Sequence, residues 1–420
     1  MTFDGSHHLF ILINSLVKGF LDMKFLIGLL LSILAVVAKE DVISCWTNLL
    51  LENVRDAKLS TPAAARTYAI FYEAIDEALH HVDCSEKGSR PLVIAGAARY
   101  VLADLLPSGR EEYDSLLQAE FEEECVKSIA RENRLDIIRE AEKQASEVLS
   151  TRLFDEFLKF TPYCLPNCCN CWIPTPPEYQ KYPVLPNFGN VDPFAIENVE
   201  KFVPGNPPSC SSPAFKNDLL EVFEIGGEDC SKRSPQETLT AKFWDAPDGT
   251  VTVSGYWIKA LLDILQKKND ILNLRRAIHS LRLLTAAMAD ATIVTWRTKY
   301  EYETIRPVSV INNGWEHFEA RPDWTPLLIT PAHPEYISGH STICHAAATA
   351  LESLYKPMEF TICSDGEVRE ERVYHSFECA ADECGLSRIL GGVHFGFSVD
   401  EGKNIGEYVG SQVAKKLLKD

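Results

Sequence analysis

Twelve of the chain's 23 prolines fall between residues 161 and 215, together with five of its 13 cysteines. Proline removes a backbone donor and clashes with the preceding helical turn, so this window reads as irregular, cross-linked loop rather than helix or sheet. The flanking stretches are rich in helix formers. Residues 42–83 and 90–160 place apolar side chains at three- and four-residue spacing, as in Trp46, Leu49, Leu50 and Val54, then Ala69, Tyr72, Ile75 and Leu79. Helical character resumes near Gly255 and runs to about Thr304, broken once at 267–270, with Leu274, Ile278, Leu281, Leu284 and Met288 on one face. A further helix is expected from Ser338 through Ala350. A last one should follow Asp400, which or a neighbour of which caps it, with Ile405, Tyr408, Val409 and Val413 facing inward. The one credible strand pair lies around 359–375. The expectation is an all-α fold: helical bundles around a common core, a long Pro/Cys-rich loop and at most a short β-hairpin.

Charge narrows the function. Lys+Arg 41 against Asp+Glu 60 gives a net charge of −19, the wrong sign for a protein that gains affinity by displacing counterions from a nucleic-acid backbone. Hydrophobic residues at 46% and charged ones at 24% exclude a disordered polymer or a polytopic membrane protein. One stretch is apolar enough to meet a membrane, FLIGLLLSILAVVA at 25–38, preceded by Met23-Lys24 and followed by Lys39-Glu40-Asp41. It is shorter than a spanning helix needs and ends in small residues, which describes a secretory signal peptide cleaved after Ala38. Residues before Met23 read as an upstream extension. The expected location is extracellular, with no stable membrane insertion after cleavage.

All 13 cysteines follow that segment. In a secreted chain this favours disulfides, and the odd count leaves at least one thiol over. The cluster CLPNCCNC at 164–171 has no histidine near it and reads as disulfide-forming rather than zinc-binding. Cys363 and Cys379 bracket the hairpin and are the first choice for a pair; Cys344, in an apolar helical stretch, is the choice for the buried free thiol.

Three segments concentrate residues that packing does not explain. In the first, Lys299 and Arg306 stand seven apart, nearly two helical turns, so both cations can share a face, and Pro307 should end the helix at Arg306. In the second, Ser338-Gly339-His340-Ser341 opens a helix: a Ser cap and a side-chain-free glycine leave N–H groups for an anion, with an imidazole on the first turn. In the third, Ser387-Arg388-Ile-Leu-Gly391-Gly392-Val393-His394 pairs a guanidinium with a histidine across two glycines. Singly, each is matched by a bland reading of surface cations or an ordinary cap. Jointly, they describe a cradle for a tetrahedral oxyanion.

These segments resemble the KX6RP, PSGH and SRX3GXH signature of the vanadium-dependent haloperoxidase and type 2 phosphatidic acid phosphatase superfamily. Residues 46–79, 186–196 and 242–250 also resemble secreted vanadium haloperoxidases, and Trp296 matches the chloroperoxidase branch. The likeness spans most of residues 39–420, so the 161–215 window is expected to be a loop wrapped over one helical domain, with the oxyanion site in 243–420. It implies that vanadate is held by Lys299, Arg306, Ser338, Gly339 and Arg388, that His394 bonds the vanadium, and that His340 is the acid–base group. The implied reaction is oxidation of halide by hydrogen peroxide to hypohalous acid, with an organic acceptor; oligomeric state is left open, a dimer included.

Four departures matter. Ile337 replaces the usual proline. Ser398 stands where many members carry an Asp that orients the ligand histidine, and Asp400 is two places late. His333 sits where similar bromoperoxidases have His and fungal chloroperoxidases have Phe, which points to bromide or iodide over chloride and makes His333 a further candidate catalytic residue. Asp245 and Asp248 are rival partners for Arg388. The alternative function is a secreted acid phosphatase using His394 as nucleophile, and below it a silent oxyanion-binding protein.

Overall fold

The computed structural model describes residues 41–419 except 158, 160, 161, 167, 169, 230, 231 and 317. The signal-peptide expectation, Cys169 and Cys230 fall outside the described residues. The N-terminal part is a bundle of α1 (Val42–Asp56), α2 (Thr61–His81), α3 (Ser89–Leu105), α4 (Arg110–Phe121), the single turn α5 (Glu124–Lys127) and α6 (Arg131–Arg152). Asp41 caps α1 by accepting from the Ser44 N–H at 2.9 Å. Among the described residues from 153 to 212, two 3-10 turns interrupt irregular chain, Phe188–Asn190 and Val199–Lys201, in line with the proline density.

The C-terminal part holds α7 (Pro213–Ile225), α8 (Pro235–Phe243), α9 (Thr252–Lys267), α10 (Leu274–Tyr302), α11 (Pro307–Asn313), α12 (Gly339–Leu354), α13 (Phe377–Leu390) and α14 (Gly396–Leu417). Between α12 and α13, β1 (Phe360–Cys363) pairs antiparallel with β2 (Glu371–Tyr374), Phe360 opposite Tyr374. Four of these helices lie outside the periodicity reading: α7, α8, α11 and α13. Three of them begin on proline, which at the first helical position supplies a pre-set φ and forfeits only an N–H that had no partner.

Helix α10 is the common wall. Its 29 residues are apolar around much of the circumference, as a helix buried on several sides must be. Ile278, Leu281, Leu284 and Met288 enter the core shared with α1–α3 and α9, while Leu283, Ala286, Ala287, Ala291 and Val294 enter a second core with α12 and α14. Each fully buried Leu or Ile there contributes about 1.5–3 kcal/mol. α14 lies against α12 along Gly402, Gly406 and Gly410; a Cβ at Gly402 would come within 2.9 Å of the Ser338 carbonyl, and Gly406 and Gly410 press as closely on the Thr342 and Ala346 carbonyls. Side chains at those positions would push away the helix that carries Ser338 and His340.

The proline-rich window is tied down by its backbone. Trp172 N–H donates to Glu303 O at 2.6 Å, Ile305 N–H to Asn170 O at 3.0 Å and Val184 N–H to Ala332 O at 2.8 Å. The fully buried Asp290 on α10 accepts from the N–H groups of Phe194, Ala195 and Ile196 at 2.6, 2.9 and 2.9 Å.

Several expectations change. The last helix starts at Gly396, not after Asp400, and Tyr408 turns outward at 45% exposure, its ring tilted against Phe202 with centroids 4.7 Å apart. Cys363 and Cys379 are unlinked although the hairpin they bracket is present; among the described residues the disulfide is Cys168–Cys171. Cys344 and Cys384 are buried side by side, with no covalent bond between their sulfurs in the structure.

Candidate functional site

Lys299 is placed by the last turns of α10. It is fully buried, and its Nζ donates to the carbonyls of Pro334 and Glu335, both at 2.8 Å. Arg306 is not on that helix. α10 stops at Tyr302 with Glu303 in the left-handed region (φ 46°), and Arg306 sits in extended backbone as the residue before α11. Two chain segments, not one helix face, therefore bring the cations together. Arg306 is also fully buried: Nε donates to His333 O at 2.9 Å, Nη1 to Val393 O at 2.7 Å, and Nη2 to the His333 ring Nδ1 at 3.0 Å.

Ser338 caps α12 as the sequence implies; its N–H donates to Ser398 O at 3.1 Å. Gly339 and His340 form the first turn and line the cavity. The peptide bond between Tyr336 and Ile337 is cis. His340 Nε2–H donates to Asp245 O at 3.2 Å, leaving Nδ1 with the lone pair. Arg388, one turn from the end of α13 and 1% exposed, lies 3.7 Å from Asp245 Oδ1, which decides the partner in favour of Asp245 over Asp248. Its Nε is buried without a partner.

After α13 the chain reverses through Gly391 and Gly392. Gly392 adopts φ +75° and presses so closely on the Gly226 carbonyl that only glycine fits. That reversal turns His394 inward, 3% exposed. Its Nδ1–H donates to Glu335 Oε1 at 2.8 Å, while Nε2 accepts from Arg306 Nη1 at 3.2 Å. Because a guanidinium only donates, this pair of contacts fixes the tautomer, with the lone pair on Nε2.

Glu335 is the residue sequence reasoning missed. It is fully buried, its Oε1 also accepts the Phe395 N–H at 3.0 Å, and its Oε2 has no partner. It fills the role sought in Ser398 and Asp400: Ser398 Oγ is 3.5 Å from His394 Nδ1, at the edge of hydrogen-bond range, and Asp400 is exposed on α14. The available signal was its position one turn of chain before Ser338, between His333 and the Ser-Gly-His segment.

The electrostatics follow from crowding. Burial, then Arg306, pushes the Lys299 ammonium well below its ordinary pKa, with Glu335 opposing. Burial brings Arg306 down to about 10 and lowers Arg388 as well. Burial raises Glu335 to about 7 against the pull of Arg306 and Lys299. His333, His340 and His394 are all driven well below 6.5, first by burial and then by the neighbouring cations, so all three rings are neutral. His333 tilts against Trp296 with centroids 5.0 Å apart. Lys299, Arg306 and Arg388 thus converge with partners that leave Arg388 Nε and the third Lys299 proton uncommitted. Such a donor set fits a tetrahedral oxyanion.

The site opens into a cavity of 390 Å³. Residues 279–419 match the VCPO second helical-bundle domain. Over 217 residues the chain is 24% identical to a vanadium chloroperoxidase from Curvularia inaequalis, an overlap of 44% of this chain and 36% of that protein, so the match spans about a third of its length. A crystal structure of a bacterial vanadium-dependent iodoperoxidase superposes with a TM-score of 0.78 at 24% identity, covering 89% of this chain and 96% of that one. A holo-type bacterial vanadium-dependent chloroperoxidase gives 0.69 at 15% identity over 86% and 93%.

Proposed function

From a chain that has the vanadium haloperoxidase fold, and the second helical-bundle domain of that family in residues 279–419, we propose a secreted vanadium-dependent haloperoxidase. It oxidises halide with hydrogen peroxide and a proton to hypohalous acid and water. The observation that carries the reading is His394: Nδ1–H is anchored on a buried carboxylate and Nε2 keeps its lone pair among three buried cations. A carboxylate behind a ligating histidine fixes ring orientation and raises basicity at the other nitrogen.

Lys299, Arg306, Ser338, Gly339 and Arg388 would hold the oxygens of vanadate and His394 Nε2 its metal. Bound there, vanadate supplies a Lewis acid that makes hydrogen peroxide electrophilic without a change in metal oxidation state. The chain does the rest. Lys299 and Arg388 stabilise negative charge in a water-poor site where each donor is worth more than in bulk solvent. His340, neutral and free at Nδ1, takes the proton from incoming peroxide and returns it to the leaving oxygen. His333 accepts at Nδ1 from Arg306, so its Nε2–H is a neutral donor beside Trp296; this suits a large, weakly hydrated anion and supports iodide or bromide over chloride.

Secretion rests on the 23–38 segment and agrees with the Cys168–Cys171 disulfide. The test is iodination or bromination of a phenol reporter by purified protein given hydrogen peroxide, with and without vanadate. Vanadate-dependent turnover is expected. No turnover, with hydrolysis of an aryl phosphate in vanadate-free buffer, overturns the proposal.

A further inference from the structure

The cavity above the cationic end is far larger than the proposed chemistry requires. Hydrogen peroxide and a halide are each comparable to a water, about 30 Å³ in the liquid, whereas the cavity holds 390 Å³, within the range that accepts organic ligands. Its walls are rigid and apolar: Trp296, Val184, Pro62, Pro176, Pro177 and Pro331. Its charge is divided. Arg388 is the one Lys or Arg among the described lining residues, and it is paired with Asp245 beside the oxyanion site. The lining also carries two exposed carboxylates, Asp248 and Glu178. Asp248 is exposed at the cavity wall, and partial desolvation there raises its carboxyl.

We propose that the outer cavity is a binding subsite for the organic acceptor, and that this acceptor is an electron-rich arene carrying an ammonium group. The ring lies between Trp296 and the prolines, and the ammonium meets Asp248 and Glu178. A flat ring against proline and indole faces buries apolar area with little loss of side-chain entropy. An ammonium relieves a carboxylate that is partly desolvated, whereas an anionic acceptor would add a like charge. The consequence rests on the proposed function: a held arene exchanges a ring proton for the halogen of hypohalous acid, releasing water, before that acid diffuses away.

Three probes of one shape test this by calorimetry with vanadate or inorganic phosphate saturating the cationic end: tyramine, phenol and 4-hydroxyphenylacetate. Tyramine should bind saturably and at least tenfold more tightly than phenol, and 4-hydroxyphenylacetate more weakly than either. Asp248→Asn should cost tyramine about tenfold and leave phenol unchanged. Equal affinities, absence of saturation, or an unaltered tyramine affinity in Asp248→Asn overturns the subsite. Failure of the haloperoxidase reading looks different: no halogenation of any phenol, with binding intact. If halogenation occurs but its rate never saturates in tyramine, the subsite alone is refuted.

A separate observation carries a covalent site. Cys344 on α12 and Cys384 on α13 are both fully buried with their sulfurs 2.7 Å apart, inside non-bonded contact. Trp257 Nε1–H donates to Cys344 Sγ at 3.3 Å, and Cys384 Sγ lies 3.7 Å from the His340 carbonyl. We infer that these two cysteines close a disulfide that ties the helix bearing His340 to the helix bearing Arg388. The two thiols lose two protons and two electrons to a disulfide oxidant, such as glutathione disulfide, which leaves as two thiols. Closure precedes burial, because the folded pair is sealed from solvent.

Protein produced in an oxidising compartment, denatured without reductant and alkylated, should yield Cys344 and Cys384 unlabelled and joined in one cross-linked peptide. Protein unfolded, reduced and refolded under reductant should melt roughly 5 °C below the oxidised protein, the scale for a loop of this length in a chain of this size. Alkylation of both cysteines, or linkage of either to another cysteine, overturns the inference.

Discussion

Replacing Glu335 by Gln leaves the size of the side chain unchanged and removes its charge. In the wild type, Glu335 Oε1 accepts from His394 Nδ1–H at 2.8 Å and from the Phe395 N–H at 3.0 Å, and the residue is fully buried. Two effects compete in the variant. A neutral acceptor makes His394 Nε2 less basic, which weakens a metal bond; loss of a negative charge also removes repulsion toward an anionic ligand. The repulsion is the smaller effect, because Arg306 and Lys299 already compensate the carboxylate. Outer-shell partners of ligating histidines are worth about 10- to 100-fold in affinity, or roughly 1.4–2.7 kcal/mol. The Kd for vanadate, measured calorimetrically at pH 8, should therefore rise by about tenfold or more. Ser398→Ala removes two contacts at 3.5 Å, to His394 Nδ1 and to the Glu335 carbonyl, both at the edge of hydrogen-bond range, and should stay within about twofold. The pH dependence gives a second check. Glu335 is raised to about 7, so its charge is present above that pH and lost as pH falls through it, and the gap between wild type and Glu335→Gln should narrow from pH 8 to pH 6. Equal or tighter binding by the variant at pH 8, or a Ser398→Ala effect as large, refutes the role given to Glu335.

Other consequences can be checked directly. His340→Ala should keep vanadate affinity within a few-fold while turnover falls about 10²- to 10⁴-fold; a parallel loss of binding would make His340 a structural support instead. His333 has its pKa driven down by burial and by Lys299 and Arg306, so the unfolded chain takes up a proton below about pH 6.5 that the folded ring refuses. Its contribution to stability is present above that pH and lost as pH falls, and His333→Phe should soften the drop in melting temperature from pH 7 to pH 5; an unchanged drop contradicts this. Asp290→Asn sets an NH2 group against some of the three N–H donors of Phe194, Ala195 and Ile196 and should destabilise by about 1–3 kcal/mol in denaturant unfolding, with faster proteolysis near residue 194; an unchanged midpoint contradicts it.

Much of this arrangement was legible in the sequence because its determinants are local. Proline density marked the loop, three- and four-residue spacing marked α1–α3, α9 and α10, the Ser338 cap marked α12, and the three short motifs named Lys299, Arg306, Ser338, Gly339, His340, Arg388 and His394 as members of one oxyanion cradle. What was missed depends on partners distant in sequence or on one residue serving two purposes. Pro213, Pro235 and Pro307 look like breakers but begin helices. Asp400 looks like a cap but lies inside α14, whose cap is Phe395. Glu335 carries no motif; its importance appears only when the turn through Gly391 and Gly392 brings His394 back onto it. The choice between Asp245 and Asp248 for Arg388 likewise needed the distance of 3.7 Å. Cys363 and Cys379 flank a genuine hairpin yet stay apart, since pairing of β1 with β2 ends at Tyr374, five residues short of Cys379.

The central claim is that His394 and its three neighbouring cations hold vanadate. Calorimetric titration of the purified full chain with orthovanadate, beside His394→Ala, measures that claim without relying on turnover. One vanadate per chain in the wild type, with binding in His394→Ala weakened at least 100-fold while the fold is retained by circular dichroism, is the predicted result. Equal affinity in the two proteins, or no binding by either, would contradict the account.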